Sequence, residues 1–183
     1  NPACDTVPEE GGRVLPGPFA DARSIHGLIE QEGVTYAAGI PTVWIGLLNH
    51  MEQYTLGFST LKRILVGGAA CPPDLISRFE EKYGVQVQHG WGMTETSPIG
   101  TLNSFKARHE TLPAAEKLAL KARQGRPAFG FRIEIVDGEG KPLPHDGKTF
   151  GDLVVRGPWV ASSYFRDEGA APLLTDAQGL QWF

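Results

Sequence analysis

Between residues 24 and 92, short apolar runs that end near glycine alternate with segments whose apolar residues recur at helical spacing. A segment patterned at the helical period does not settle as a strand, nor the reverse, so this alternation narrows the fold more than any other feature. Ile25, Leu28 and Ile29 share one face of a first helix, with Ser24 read as its N-cap and Gly33 as its stop. VTYAAGI (34–40) reads as a buried strand, and Val43, Trp44, Leu47, Leu48 and Met51 mark a second helix starting at Thr42. KRILV (62–66) runs into Gly67-Gly68 as a parallel strand entering a tight turn. Pro72 and Pro73 suit the first turn of a helix carrying Leu75, Ile76, Phe79 and Tyr83, stopped at Gly84. VQVQH (85–89) alternates like a strand. Helices and strands in strict alternation predict an α/β layer built on a largely parallel sheet.

Beyond residue 100 the pattern changes. Residues 113–123 read as a charged amphipathic helix, FRIEIV (131–136) alternates, DGEG (137–140) turns and DLVVR (152–156) supplies another strand. The expected organisation is a loop-rich leader over 1–23, an α/β subdomain over 24–112, and a linker helix with a small antiparallel β-rich subdomain over 113–183. The boundary falls within residues 105–125.

Composition excludes several functions. Hydrophobic residues at 41% and charged ones at 21% belong to a globular chain. The net charge of -4 comes from 17 basic and 21 acidic residues scattered without a basic stripe, which leaves nucleic-acid binding and polybasic membrane anchoring unsupported. The longest apolar stretch, YAAGIPTVWIGLL (36–48), contains Pro41 and falls short of the roughly 20 residues a membrane helix needs, so a soluble protein without a transmembrane segment is expected. Two distant cysteines, Cys4 and Cys71, argue for a reducing, cytoplasmic setting. His26, His50, His89, His109 and His145 are too dispersed for a metal motif. The ends, NPAC and GLQWF, read as those of a piece of a longer polypeptide.

In doubly wound sheets ligands collect beyond the carboxyl ends of strands. Two such ends are followed here by GGAAC (67–71) and GWGMTE (90–95). Glycines let the backbone approach a flat ligand and leave amides free to donate. Trp91 offers a ring face to a nucleobase, a stacking contact worth about 1–3 kcal/mol per base. Thr94 can donate to a phosphate oxygen, and Glu95 is a hard anionic ligand for Mg²⁺ held together with phosphates. Each feature alone also has a structural reading. Gly67-Gly68 also reads as an ordinary turn, Trp91 as a core residue, Thr94 and Glu95 as helix-terminal caps. His89 reads as structural and Cys71 as an inert buried thiol.

The string GWGMTETSP (90–98) resembles the aromatic-Gly-x-Thr-Glu motif of the adenylate-forming superfamily, which includes acyl-CoA synthetases, luciferases and peptide-synthetase adenylation domains. VTYAAGIPTVW (34–44) and LVGGAACPPDLISRFEEKYGV (65–85) resemble the elements that precede this motif, and GRPAFGFRIEIVD (125–137) and FGDLVVRGPWVASSYF (150–165) resemble those that follow it. GGAACPPDL and HGWGMTETSPIG are most similar to medium- and long-chain fatty acid–CoA ligases. Trp91 stands where Tyr is frequent, and Asp152 where Glu is usual.

The resemblance implies part of the N-terminal domain of an AMP-forming enzyme using ATP, Mg²⁺ and CoA. A carboxylate attacks the α-phosphate of ATP to give an acyl-adenylate, and CoA thiol then displaces AMP. The implied partner is a small-molecule carboxylate, a fatty acid, with a homodimer open to the full-length enzyme. Gly68, Ala69 and Ala70 would border adenine and the acyl carbonyl, Trp91 with Gly90 the base, and Gly92 and Met93 the nucleotide. Thr94 would bind phosphate and Glu95 the metal, which makes these two the implied catalytic pair. The family's phosphate loop, ribose-binding Thr-Gly-Asp and C-terminal lysine have no counterpart among these residues, so the chain alone is expected to be inactive. Ile40, Thr42, Val43, Trp44 and Gly68 are candidates for an acyl pocket, although Val43 and Trp44 serve equally as core. Two alternatives stay open: a ligase for aryl or short-chain acids, and a non-catalytic nucleotide-binding or interaction module.

Overall fold

The computed structural model describes residues 21–166, 174–176 and 178–183; the loop expected over residues 1–20, and Cys4 with it, lies outside the described residues. They pack as two compact units, one comprising the described residues up to Trp91 with Thr101–Arg126, the other Gly92–Gly100 with Pro127–Phe183.

In the first unit, helix α1 (Ala22–Glu32) is capped by Asp21, whose Oδ1 accepts from the Ser24 amide at 3.0 Å. The sequence expectation is corrected here, because Ser24 supplies the capped N–H three positions inside and Asp21 supplies the cap. Strand β1 (Tyr36–Gly39) leads into α2 (Pro41–Gln53), which opens on Pro41, where the missing N–H costs no helical hydrogen bond. Strands β2 (Arg63–Val66) and β3 (Gln86–Gly92) follow. β1 pairs parallel to β2 in the register Tyr36↔Arg63 to Gly39↔Val66, and β2 parallel to β3 from Arg63↔Gln86 to Val66↔His89. Between β2 and β3, α3 (Pro73–Ser77) loosens into a π-helical turn over Arg78–Lys82.

Two further strands, β4 (Ile99–Leu102) and β5 (Arg126–Pro127), complete a five-stranded sheet in the order β1-β2-β3-β4-β5. Helix α4 (Ala114–Lys121) presents Leu118 to the core of the first unit, as does Ala122 just beyond it.

That core is built from the residues whose spacing singles them out in the sequence. Leu47, Leu48 and Met51 of α2, Ile64 and Val66 of β2, and Phe79 are fully buried. The Trp44 ring meets Phe79 edge-on at 6.0 Å, and its Nε1 donates to the Leu65 carbonyl at 3.3 Å. Each such side chain contributes about 1.5–3 kcal/mol through its removal from water. Strand β1 departs from the buried strand expected of VTYAAGI. Tyr36 is 48% exposed, because β1 is an edge strand of the five and its side chains alternate between exposed and partly covered.

In the second unit, β6 (Arg132–Val136) and β7 (Asp152–Arg156) pair antiparallel from Arg132↔Arg156 to Val136↔Asp152. The DGEG turn closes with the Gly140 amide donating to the Asp137 carbonyl at 2.9 Å. It leads into a single bridge between Val136 and Pro142 before the chain reaches β7. A two-residue pair, β8 (Leu174–Thr175) and β9 (Gln181–Trp182), is antiparallel as well, and Val155 and Phe183 exchange backbone hydrogen bonds at 2.9 Å. Val136, Val154 and Trp182 form the small core. Among the described residues, no helix is long and apolar enough to cross a membrane.

Candidate active site

Within the first unit, the carboxyl end of β2 lies beside His89 of β3. The Gly67 amide donates to the Gly39 carbonyl at 3.2 Å, which carries the parallel ladder one residue past β2. Gly68 then turns with φ +78°, a conformation that glycine adopts without steric cost. A side chain there would also press on Ile40, whose Cγ2 would lie 3.1 Å from the added carbon. Gly68, Ala69 and Ala70 are exposed, and Gly90 and Trp91 are partly buried. A Cβ on Gly67 would sit 3.7 Å from the Gly90 carbonyl oxygen, so the loop after β2 runs beside β3, which continues through Gly90, Trp91 and Gly92 as strand instead of ending at His89 as the sequence pattern suggests. Ile40, 50% exposed, is the apolar residue beside that turn, whereas Trp44 at 2% belongs to the core. Thr42 is exposed and Val43 partly buried.

Two neighbouring residues resolve as structural. His89 is buried, and its Nδ1 lies 3.0 Å from the Ala122 carbonyl, which ties β3 to the end of α4. Cys71 is a free, buried thiol whose pKa burial pushes up to about 11, leaving little thiolate at neutral pH.

Within the second unit, Thr94–Thr96 form one 3₁₀ turn. The buried Thr96 hydroxyl accepts from the Met93 amide at 2.9 Å and lies 2.6 Å from the Pro98 carbonyl and 3.0 Å from that of Met93. Gly92 passes so close to Pro98 that a Cβ would fall 1.6 Å from the Pro98 carbonyl oxygen. Thr96 thereby fastens the turn from inside, leaving Thr94 exposed and Glu95 partly exposed.

Glu95 is held from a distant part of the chain. Its carbonyl accepts from the Ala161 amide at 2.8 Å, and its Oε1 from the Tyr164 hydroxyl at 2.6 Å. The Tyr164 hydrogen bond holds the Glu95 carboxyl below its ordinary pKa, so it is ionised at neutral pH. Sequence reasoning misses Thr96, Tyr164 and Trp159, whose Nε1 donates to the Ile99 carbonyl at 3.1 Å. Tyr164 stands 69 residues from its partner, and no local pattern signals such a contact.

Among the described residues, no three His, Cys, Asp or Glu side chains group to enclose a cation. A single ionised carboxylate matches the way Mg²⁺ binds with phosphates, retaining waters and substrate oxygens as its other ligands.

A model of the family described as AMP-binding enzyme matches residues 10–165. The chain belongs to that family. The chain is 49% identical over 172 residues to a 3-methylmercaptopropionyl-CoA ligase of Ruegeria lacuscaerulensis, covering 93% of the chain and 31% of that protein. It is 46% identical over 160 residues to a medium-chain-fatty-acid–CoA ligase of Ectopseudomonas oleovorans, covering 87% and 29% respectively. The chain therefore spans less than a third of the length of these relatives. Among solved structures, a long-chain-fatty-acid-CoA ligase from Archaeoglobus fulgidus superposes with a TM-score of 0.72 at 23% identity, covering 89% of the chain and 33% of that structure. The architecture of the chain is accordingly that of part of the α/β N-terminal domain of the adenylate-forming enzymes.

Proposed function

We propose that this chain is the nucleotide-handling part of an AMP-forming acyl-CoA ligase that activates an aliphatic carboxylic acid. A carboxylate oxygen bonds to the α-phosphorus of ATP and the bond to pyrophosphate breaks. The sulfur of CoA then bonds to the acyl carbon, and AMP leaves with the former carboxylate oxygen. Gly68, Ala69, Ala70, Gly90 and Trp91 serve the adenine and the acyl carbonyl, Gly92 and Met93 the nucleotide, Thr94 a phosphate oxygen and Glu95 the cation. Mg²⁺, when bound, offsets the negative charge gathered at phosphorus. Thr94 adds a hydrogen bond there, and fixed donors of this kind stabilise a transition state because they need not reorient as charge develops.

The observation that carries this reading is the Thr94-Glu95 pair, exposed at Thr94 and partly exposed at Glu95, with the Glu95 carboxylate ionised and bonded to the Tyr164 hydroxyl. It also weighs against a non-catalytic module, which has no need of a fixed carboxylate. The names of the two relatives favour an aliphatic over an aryl acid, and the exposed apolar side chain of Ile40 beside Gly68 is suited to an acyl chain. A fatty acid of medium length is the first reading; a short-chain acid is the second, favoured by the higher identity to the 3-methylmercaptopropionyl-CoA ligase. The proposed setting is cytoplasmic, with a homodimer as the assembly open to the full-length protein.

In the ligase carrying this chain, Glu95→Gln is expected to lower carboxylate-dependent ATP–pyrophosphate exchange about 100-fold, in the range seen when one preorganised transition-state partner is removed. Unchanged exchange in a folded variant would refute the role given to Glu95. Running the assay with short, medium and aryl acids ranks the substrates.

A further inference from the structure

The segment 157–164, GPWVASSY, is a strap over the turn that carries Glu95. Four hydrogen bonds join the two, all within the second unit. The Ser97 hydroxyl donates to the Trp159 carbonyl at 2.9 Å, and Trp159 Nε1 to the Ile99 carbonyl at 3.1 Å. The Ala161 amide donates to the Glu95 carbonyl at 2.8 Å, and the Tyr164 hydroxyl to Glu95 Oε1 at 2.6 Å. The strap is itself anchored. Trp159 stacks on Phe131 at 5.9 Å with the rings 13° apart, and Tyr164 meets Phe183 edge-on at 5.7 Å.

Two of these bonds end on backbone carbonyls of the turn segment and hold its path, and the Ser97 hydroxyl ties it to the strap backbone. The fourth holds the Glu95 side chain. A glutamate on a surface turn samples many rotamers, and fixing one has an entropic cost. The phenol, carried on a ring braced by Phe183, restricts that freedom from outside. Tyr164 is 44% exposed, and a hydrogen bond so open to water adds little to stability. Its consequence is directional: Oε1 is occupied by the phenol, and Oε2 accepts no hydrogen bond from the described residues.

We infer that Tyr164 is a positioning residue that fixes the Glu95 carboxylate so that Oε2 alone meets the nucleotide-bound cation. The inference rests on the metal role proposed for Glu95. It gives the GPWVASSY segment a task in metal-nucleotide binding, through a residue that itself touches neither metal nor nucleotide.

The test uses Tyr164→Phe, Glu95→Gln and the double variant in the ligase that carries this chain. Binding of Mn²⁺–ATP is followed by the paramagnetic resonance signal of bound Mn²⁺, and binding of metal-free ATP by calorimetry. Tyr164→Phe is expected to weaken Mn²⁺–ATP binding about 10-fold or more, the usual effect of removing a hydrogen-bond partner of a metal ligand. Metal-free ATP should bind as in wild type. The double variant should bind Mn²⁺–ATP no more weakly than Glu95→Gln alone, because the effect of Tyr164 on the metal passes through that carboxylate. If Glu95→Gln loses Mn²⁺–ATP binding while Tyr164→Phe retains it, the inference is overturned and the role of Glu95 stands. Equal loss of metal-free ATP binding in Tyr164→Phe also overturns it, by showing a general structural effect. If the wild type binds Mn²⁺–ATP no more tightly than metal-free ATP, the metal role of Glu95 falls and the inference falls with it.

Discussion

Gly92 shows how little freedom the turn around Glu95 has. The clash awaiting a Cβ there is with backbone, the Pro98 carbonyl oxygen at 1.6 Å, and no rotamer change relieves it. Gly92→Ala should therefore destabilise by about 1–3 kcal/mol, the usual cost of an overpacked site. It should also depress adenylation beyond what the loss of folded protein explains, because the strand end that leads into Thr94 and Glu95 must move. Thermal melts beside exchange assays check this; an unperturbed melting curve would show that the turn yields more readily than its geometry implies. At this scale the sequence was legible where chemistry is carried by the residue type itself. Thr94 and Glu95 stand out as a donor and a hard anion after a glycine-flanked aromatic. Thr96, one position on, looks equally exposed in the sequence yet is buried to satisfy the Met93 amide. Its role, like that of Tyr164, follows from contacts that only the folded chain makes.

The elements of the first unit follow from periodicity almost throughout. Trp44, Leu47, Leu48 and Met51 recur on one face of α2 and, with Pro41, are the residues it buries. The same helix contains Gly46, where a Cβ would meet nothing within 4 Å and the backbone is helical. Gly46→Ala is expected to stabilise by about 0.5–1 kcal/mol, the helix-interior difference between the two residues. Tm should then rise by about 1–4 °C for a chain of this size, and a fall would show that this face of α2 is already covered. Some element-level readings went astray for identifiable reasons. Asp21 and Ser24 are both good caps in isolation, and the helix begins one turn earlier than the apolar period alone suggests. For β1, an apolar composition indicates a strand without telling whether neighbours cover both of its faces. The DGEG turn was recognisable from its glycines and Asp, but the return through Pro142 before β7 depends on a single bridge that no pattern announces.

For the molecule as a whole, alternating helix and strand followed by antiparallel strands is the order that both the residues and the structure display. The family assignment comes from many short segments in sequence order, each weak alone, whereas the nucleotide role depends on a few side chains whose chemistry is specific. The central claim is that these side chains belong to an enzyme that splits ATP between the α- and β-phosphates while joining AMP to a carboxylate. The most direct measurement is to incubate the ligase carrying this chain with ATP, Mg²⁺ and a medium-chain fatty acid in the absence of CoA, and to analyse the products by mass spectrometry. The account predicts pyrophosphate and an enzyme-bound acyl-adenylate, converted to acyl-CoA and AMP when CoA is added. Release of ADP and phosphate, or no ATP consumption with any short, medium or aryl acid, would contradict it.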